Sequence, residues 1–258
     1  MQQTNGMRLE RLELSDFYMF NGKQEIKFSK DSKITIIEGQ NGSGKTMLVK
    51  AMKAALGLEK QSEEHEKPQL KCNFDPTVIN NENKFLFFQV NESLREIKNI
   101  NFSKFGVDLG FVEDVRTLFL KYCHKGNLDI IYNSGKFGMV KRGTDQRYSP
   151  AMTEEYELCI SILMVLKQRL YPNSFLVVDS PFHNVSQNSK NGLCHMLLEH
   201  ASQLILLATP AEYRGVVDAD DFSKESVSVK TIINNLNPAV SEYKLVKNKD
   251  QTKIEKCL

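Results

Sequence analysis

Eight consecutive residues near the amino end of the chain have the types that bind a phosphate group. Gly39 to Thr46 read GQNGSGKT and satisfy the pattern Gly-x-x-x-x-Gly-Lys-[Ser/Thr] in full. Glycines let the backbone curl so that successive N–H groups converge on one anion, and the amino terminus of a following helix adds partial positive charge. In this pattern Lys45 reaches the β- and γ-phosphates of a nucleotide, and the Thr46 hydroxyl binds Mg²⁺.

The segments on either side of this loop favour phosphate binding over a chance run of glycines. Lys33 to Glu38 (KITIIE) is rich in β-branched residues and predicts a strand that stops at Gly39. From Lys45 onward the apolar residues follow helical spacing, and Gly57 is placed to end that helix. A strand, a glycine loop and a helix in this order are the context that the pattern requires.

A magnesium nucleotide site also needs a carboxylate near the metal. Asp179 stands at the end of the apolar run Phe175 to Val178 and is the best-placed candidate. An aspartate in this position can instead form an ordinary turn. Its order and spacing relative to the glycine loop favour the metal role, so we predict that Asp179 and Lys45 lie close together.

Length and composition indicate a globular protein with reduced thiols. The 258 residues can bury the core of one large α/β domain or of two joined lobes, and 34 basic residues nearly balance 32 acidic ones. The net charge of +2 neither requires nor excludes nucleic acid. Five cysteines without a Cys-x-x-Cys pair argue against disulfides and a zinc ribbon. Because the sequence shows no signal segment and no membrane-length apolar run, we expect a soluble, cytoplasmic protein without a membrane partner.

The apolar spacing predicts strands that alternate with helices, hence a mainly parallel sheet, with antiparallel hairpins in a separate layer. Two hairpins are expected, around the turn dipeptides Asn21-Gly22 and Ser134-Gly135. Predicted helices follow the glycine loop and cover 111–122, 153–170 and 193–198, and further predicted strands cover 85–90, 204–208, 227–232 and 243–246. We treat residues 1–258 as one domain with an amino-terminal lobe, 1–110, and a carboxyl-terminal lobe, 111–258.

Two adjoining segments resemble the ABC ATPase heads of the SMC, RecF and RecN type, which act in chromosome maintenance and recombinational repair. They are RLELSDFYMFNGKQEIKF and ITIIEGQNGSGKTMLVKAMKAAL, and Asn41 belongs to an NGSGKT loop that is a narrower signature than the phosphate pattern alone. The resemblance implies an α/β P-loop NTPase fold of ABC-ATPase type, with a mainly parallel sheet flanked by helices and an antiparallel β layer. It also implies ATP and Mg²⁺ as ligands.

The resemblance assigns a role to four positions in chain order. They are a glutamine on a loop after a middle strand, Gln89; the serine of a signature segment that opens a helix, Ser149; the strand aspartate, Asp179; and a switch residue after the next strand, Thr209. In this family two heads enclose two nucleotides, and a signature serine of one head completes the phosphate site of the other. Ser149, in YSPAMTE, would bind the γ-phosphate in this way, aided by the amino terminus of the next helix. Pro150 and Ala151 replace the family's paired glycines, so an ordinary Ser-Pro helix start is the alternative.

Three positions depart from the family pattern and bear on hydrolysis. Ser180 follows the strand aspartate where the family has the glutamate that orients water, Ser186 replaces an aspartate, and Thr209 replaces a histidine. A serine hydroxyl cannot accept a proton at neutral pH as a carboxylate does, so slow ATP hydrolysis is expected unless another group takes over. His183 is one candidate, although a histidine in a loop is more commonly a surface residue.

The candidate site residues fall into three groups. The catalytic candidates are Lys45, Asp179, Ser180 and His183. The nucleotide-binding candidates are Gly39, Asn41, Gly42, Ser43, Gly44, Lys45, Thr46, Met47 and Ser149. The metal candidates are Thr46, Gln89 and Asp179.

The residues and the resemblance leave several functions open. The first is an ATPase of DNA repair or genome defence, whose ATP-dependent homodimer binds DNA or licenses a partner nuclease or other effector. The second is a regulatory module that senses ATP and barely hydrolyses it. A transporter subunit, with Tyr18 or Phe17 stacking on adenine, is disfavoured by the missing glycines and histidine, and a P-loop kinase by the lack of an arginine cluster. Val112 to Gly126, where most family members insert a long coiled coil, holds one short helix, so the chain is a compact member or the coil belongs to a partner.

Overall fold

The computed structural model describes residues 6–59, 67–79, 86–89, 107–122, 126–182, 185–215, 228–236 and 238–257. These residues divide into two compact units, each assembled from segments that are distant in the sequence. The first unit comprises Met1–Gln89, Pro172–Pro181 and Ala201–Leu258, and the second comprises Val90–Tyr171 and Phe182–His200.

The elements alternate between strands and helices through most of the chain. The strands are β1 (Leu9–Phe17), β2 (Phe20–Lys27), β3 (Ile34–Gly39), β4 (Gln69–Cys72), β5 (Phe87–Gln89), β6 (Leu128–Asn133), β7 (Lys136–Lys141), β8 (Arg147–Tyr148), β9 (Phe175–Asp179), β10 (Gln203–Ala208), β11 (Val240–Asn248) and β12 (Gln251–Lys256). The helices are α1 (Lys45–Ala55), α2 (Leu109–Tyr122), α3 (Met152–Leu170), α4 (Gln187–His200), α5 (Pro210–Arg214) and α6 (Val229–Leu236), with a 3₁₀ turn at Pro76–Val78.

A six-stranded sheet in the order β12-β11-β3-β10-β9-β5 forms the core of the first unit. Neighbouring strands from β11 to β5 are parallel, and β12 is antiparallel to β11, which confirms the predicted mainly parallel sheet. Every residue of β3, β9 and β10 is buried, as expected of parallel strands that are covered on both faces. The predicted lobes, 1–110 and 111–258, follow sequence order. The first unit instead contains segments of both, because β10 pairs directly with β3.

A separate antiparallel sheet, in the order β2-β1-β4, confirms the predicted antiparallel layer, but the predicted turn at Asn21-Gly22 is wrong. The chain reverses earlier, since Phe17 pairs with Phe20. Gly22 lies within β2 opposite Asp16, where the strand register shifts, and its N–H donates to the Asp16 carboxylate at 2.8 Å. The positive φ of Gly22, +66°, therefore accommodates a shift of strand register inside β2 and not a turn.

The predicted strand at 227–232 is also wrong, because Val229–Leu236 forms helix α6. Its buried residues Val229, Ile232 and Ile233 recur at helical spacing. The hydroxyl of Ser228 accepts the N–H of Thr231 at 3.0 Å and caps the first turn. Burial of this apolar stripe outweighs the strand preference of the β-branched residues.

The second unit combines α2, α3 and α4 with the antiparallel sheet β6-β7-β8. The predicted hairpin at Ser134-Gly135 is confirmed, and both turn residues have positive φ, +51° and +79°. Helix α2 has 14 residues and is the short helix expected between Val112 and Gly126. Gly192 on α4 contacts the backbone carbonyl of Tyr122 so closely that a Cβ would overlap it, which lets α2 and α4 pack tightly. In the part of the chain that the structure describes, none of the helices is long and apolar enough to cross a membrane.

Candidate nucleotide-binding site

The loop between β3 and α1 turns at two glycines with backbone conformations that other residues rarely adopt. Gly42 has φ +74° and Gly44 has φ +99°. Gly44 is also confined by the β1–β2 turn, since a Cβ built on it would lie 2.6 Å from the Sδ of Met19 and 2.8 Å from the Cζ of Phe20. Any side chain at this position would force those atoms apart. The folded loop thus requires the glycine spacing from which phosphate binding was predicted.

Gly39 and Ser43 pack against each other on the inner side of the loop. A Cβ built on Gly39 would overlap the hydroxyl oxygen of Ser43 and would lie 3.0 Å from the Cβ of Leu245 on β11. The Ser43 hydroxyl is buried without a hydrogen-bond partner among the described residues, and its N–H donates to the carbonyl of Gln40 at 3.1 Å. Ser43 therefore supports the loop from inside the fold, and a contribution to phosphate binding has to come from its main chain.

Lys45, the first residue of α1, is 7% exposed and reaches back over the loop. Its ammonium group donates to the carbonyl oxygens of Gly39 at 2.7 Å and Gln40 at 3.2 Å. Burial lowers the pKa of Lys45, and the nearby carboxylates of Asp179 and Glu212 oppose that change. An ammonium has three N–H donors, so one remains for an anion after the two carbonyls are bound.

Asp179, the last residue of β9, accepts hydrogen bonds from two hydroxyl groups. Thr46 Oγ1 donates to Oδ2 at 2.9 Å, and Ser180 Oγ donates to Oδ1 at 3.1 Å. Ser180 has φ +52°, and its N–H donates to the carbonyl of Leu207 on β10 at 2.8 Å. The carboxylate thus bonds a side chain 133 residues away in the sequence, which favours the site role over that of a simple turn former.

The residues at this point suit a magnesium ion. Hydroxyl and carboxylate oxygens are the hard donors that Mg²⁺ prefers, and Thr46 and Asp179 already meet in a hydrogen bond. These two residues would hold the ion, whose charge would offset that of the β- and γ-phosphates. Gln89, the third metal candidate, pairs with Asp179 in the parallel register of β5 and β9, and its side chain lies outside the described residues.

The signature candidate Ser149 belongs to the second unit. It is exposed, follows β8 and precedes α3. The N–H of Ala151 donates to the carboxylate of Glu154 at 2.7 Å, which fixes the start of α3. Ser149 is thus accessible beside a helix amino terminus, and its contact with a nucleotide stays a prediction. His183, the candidate proton acceptor, lies outside the described residues.

Thr209, the candidate switch residue, takes part in a reciprocal helix cap. Its hydroxyl oxygen accepts the N–H of Glu212 at 3.2 Å, while Oε2 of Glu212 accepts the N–H of Thr209 at 2.8 Å and its hydroxyl at 2.9 Å. Thr209 follows β10, which lies between β3 and β9, so it stands at the sheet edge where the phosphate loop and Asp179 also lie. Glu212 was missed by the sequence reasoning, although Thr-x-x-Glu is a capping pattern that the sequence contains.

A cavity of about 240 Å³ lies beside the phosphate loop. Its walls are formed by Met19, Asn41, Gly42, Gly44, Lys45, Thr46, Met47, Asp179 and Ser180. All of these except Met19 are site residues predicted from the sequence, and Gly39 and Ser43 are the loop candidates that do not line it. Small-molecule sites usually measure about 300–1,000 Å³. The cavity, as the described residues form it, is thus smaller than a usual small-molecule site, and residues of the phosphate loop form most of its wall.

Two residues that sequence reasoning missed lie next to the loop because of strand pairing. Met19 is in the β1–β2 turn, and the Nζ of Lys247 lies 3.8 Å from the position of a Cβ on Gly42. Leu245 on β11 pairs with Gly39, so Lys247, two residues further, lies beyond the end of β3 on the same face. No local pattern marks either residue, because each depends on the register between distant strands.

Known proteins match both the sequence and the fold. The family model for the AAA domain matches residues 11–256. Similar solved structures include the Smc head bound to the C-winged helix domain of ScpA, with 13% identity, a TM-score of 0.67 and coverage of 96% of this chain and 97% of that one. The SMC head domain from Thermotoga maritima has 13% identity, a TM-score of 0.59 and coverage of 97% and 99%. An Smc head domain with an extended coiled coil, bound to the C-terminal domain of ScpA and derived from Pyrococcus furiosus, has 12% identity, a TM-score of 0.59 and coverage of 97% and 96%.

At such identities the structural likeness establishes the fold, and it confirms the predicted P-loop ATPase architecture. Among curated proteins no sequence matches the chain. The match to the AAA domain spans nearly the whole chain and includes both the phosphate loop and Asp179. The chain belongs to the AAA domain family and has the fold of an SMC-type ABC ATPase head.

Proposed function

We propose that the chain is a cytoplasmic, ATP-switched ATPase whose two copies enclose ATP and Mg²⁺, and which acts on DNA or licenses a partner nuclease in repair or genome defence. The observation that carries the proposal is the convergence of Lys45, Thr46 and Asp179 on one cavity. A buried ammonium with a free donor, a loop of backbone N–H groups and a hydroxyl–carboxylate pair are what a magnesium triphosphate requires.

Dimerisation is supported by the small size of the cavity and by the position of Ser149. The cavity among the described residues is smaller than a usual small-molecule site, so a second subunit would enclose the part of the nucleotide that lies beyond it. Ser149 is exposed beside the amino terminus of α3, which can bind an anion. In a symmetric pair each Ser149 would complete the site of the other copy, so ATP would favour the dimer by mass action.

Action on DNA is supported by the fold and by an exposed basic hairpin. The hairpin of β11 and β12 exposes four lysines and two acidic residues to solvent: Lys247, Lys249, Lys253 and Lys256, with Asp250 and Glu255. Lysines of this kind bind phosphates of the DNA backbone without reading its sequence. Two of the similar structures contain a domain of ScpA, and by that likeness the proposal includes a protein partner.

A second function, ATP sensing with little hydrolysis, is favoured by the state of Asp179. It is the one carboxylate among the residues that line the described cavity, and both of its oxygens accept hydroxyl hydrogen bonds. Turnover by the purified protein, compared with Lys45→Ala and Asp179→Ala, separates the two functions. Turnover that both substitutions abolish supports an ATPase, and ATP binding without turnover supports a sensor.

Nucleotide binding and dimerisation can be measured together. Calorimetry with ATP and Mg²⁺ should show binding, and light scattering after gel filtration should show a dimer only with ATP. Lys45→Ala should lose both, whereas Lys50→Ala, on the same helix and away from the cavity, should keep both. A chain that binds no ATP would refute the proposal.

The trans role of Ser149 can be tested by mixing two inactive variants. Lys45→Ala destroys the phosphate loop of its own subunit, and Ser149→Arg destroys the site of the opposite subunit. A mixed dimer holds one intact site, formed by the phosphate loop of one copy and Ser149 of the other, so turnover should return in the mixture although neither variant alone turns over ATP. No recovery would show that Ser149 does not act across the dimer.

DNA binding should depend on both ATP and salt. Fluorescence anisotropy with duplex DNA should show tighter binding when ATP is present, and weaker binding as salt rises, because bound lysines release counterions. Lys249→Gln and Lys253→Gln together should reduce the salt dependence. DNA affinity that is unaffected by ATP would contradict the proposed switch.

A further inference from the structure

Asp179 is the one carboxylate among the described residues that line the cavity, and it already accepts a hydroxyl hydrogen bond at each oxygen besides its proposed role at Mg²⁺. Oδ2 of Asp179 accepts from Thr46, and Oδ1 accepts from Ser180. The hydroxyl proton of Ser180 is directed at Asp179, and a neutral hydroxyl is a poor proton acceptor. Hydrolysis of ATP needs a group that orients the attacking water. That group has to come from beyond the residues that line the cavity.

Glu212 on α5 is a buried carboxylate with one oxygen unused. The residue is only 6% exposed. Oε2 accepts two hydrogen bonds from Thr209, whereas Oε1 is buried and has no hydrogen-bond partner among the described residues. Leaving a buried carboxylate oxygen unpaired is unfavourable, and helix capping needs Oε2 alone. The unpaired oxygen is thus the feature that the capping role does not explain.

Glu212 lies at the same end of the sheet as the phosphate loop and Asp179. Thr209, which binds the carboxylate, directly follows β10, and β10 pairs with β3 on one side and β9 on the other. Those two strands end at the phosphate loop and at Asp179. Burial lowers the pKa of Lys45, and the Glu212 and Asp179 carboxylates both oppose this, so Glu212 lies within electrostatic range of the phosphate-binding ammonium.

We infer that Glu212 orients the attacking water, with Oε2 fixed by Thr209 and Oε1 moving from its buried position to accept a hydrogen bond from the water. This role rests on the proposed ATPase function. The water oxygen forms a bond to the γ-phosphorus as the bond from that phosphorus to the β–γ bridging oxygen breaks, and ADP keeps the bonding electron pair. A proton of the water passes to Glu212 and from there to the phosphate product.

Glu212→Gln separates this role from helix capping. The glutamine oxygen can still accept the N–H and hydroxyl of Thr209, so the cap and the fold are kept, but the amide cannot accept a proton. We expect kcat to fall by about 100-fold or more, while the ATP dissociation constant from calorimetry and the urea midpoint stay close to wild type. Glu212→Asp keeps a carboxylate and should recover part of kcat. Glu255→Gln, an exposed residue on β12, is the charge control and should match wild type.

Each result has a distinct meaning. Unchanged kcat in Glu212→Gln would overturn the role of Glu212. A loss of kcat accompanied by equal losses in ATP affinity and stability, without recovery in Glu212→Asp, would overturn it as well, because capping alone would explain the result. A wild-type protein that binds ATP without turnover would overturn it and support the sensor, whereas one that binds no ATP would refute the proposed function itself.

Discussion

Replacing Gly44 by alanine tests whether the phosphate loop and the β1–β2 turn hold each other in place. Gly44 has φ +99°, and a left-handed conformation of this kind costs an alanine roughly 1–2 kcal/mol. The new methyl group would lie 2.6 Å from the Sδ of Met19 and 2.8 Å from the Cζ of Phe20, which is fully buried. Overpacking of this kind costs about 1–3 kcal/mol. The free energy of unfolding should therefore fall by about 2–5 kcal/mol.

Gly57→Ala is the matched control for the backbone part of this cost. Gly57 has a similar positive φ, +73°, and no atom lies within 4 Å of a Cβ built on it. Gly57→Ala should lower the free energy of unfolding in urea by only about 1–2 kcal/mol, which is the backbone part. Each kcal/mol should lower Tm by roughly 2–4 °C. Met19→Ala should recover part of the Gly44→Ala loss, because it removes the nearer atom. Equal losses in Gly44→Ala and Gly57→Ala would refute the steric contact.

Three further expectations concern single side chains. Thr46→Val removes the hydroxyl that donates to Asp179 at 2.9 Å. ATP affinity measured by calorimetry should therefore fall about tenfold with Mg²⁺ present. Equal falls with and without Mg²⁺ would contradict the metal role. Lys247→Ala should weaken ATP binding about threefold or more. Lys253→Ala, on the same hairpin, is the control and should leave ATP binding unchanged. Identical affinities for both variants would show that Lys247 does not contribute to the site. Burial lowers the pKa of Lys167 to about 8, so the unfolded chain binds more protons than the folded one above that pH, and the free energy of unfolding should rise between about pH 8 and pH 10. Lys167→Met should lose this rise in urea midpoints, and an unchanged pH slope would contradict the assignment.

Most of the site could be predicted because its residues are contiguous in the sequence. The phosphate loop is a local structure, so glycine spacing, a preceding strand and a following helix are all visible in one segment of the chain. Asp179 could be predicted because a buried strand that ends in a carboxylate is also a local pattern. Met19 and Lys247 could not, since their positions depend on how β1 turns and how β11 is aligned with β3.

The two wrong predictions of secondary structure have one physical origin. Asn21-Gly22 has the conformational freedom for a turn, but the same positive φ also suits an irregularity within a strand, and the pairing of Phe17 with Phe20 decides between them. At 227–232 the β-branched residues favour a strand by local preference. Burial of one face of α6 is a tertiary effect, and it outweighs that preference. In both places the outcome depended on contacts that a sequence window does not contain.

The three hydroxyl residues that depart from the family pattern are all engaged within the protein. Ser180 donates to Asp179, Ser186 donates to a serine three residues further at 2.9 Å, and Thr209 donates to Glu212. A γ-phosphate that binds one of these hydroxyls must therefore replace an internal hydrogen bond, and such an exchange gains little net free energy. Removing one of these hydroxyls, as in Ser180→Ala, should consequently change the ATP dissociation constant only slightly. Loss of ATP binding in Ser180→Ala, with an unchanged urea midpoint, would show that this hydroxyl contacts the nucleotide directly.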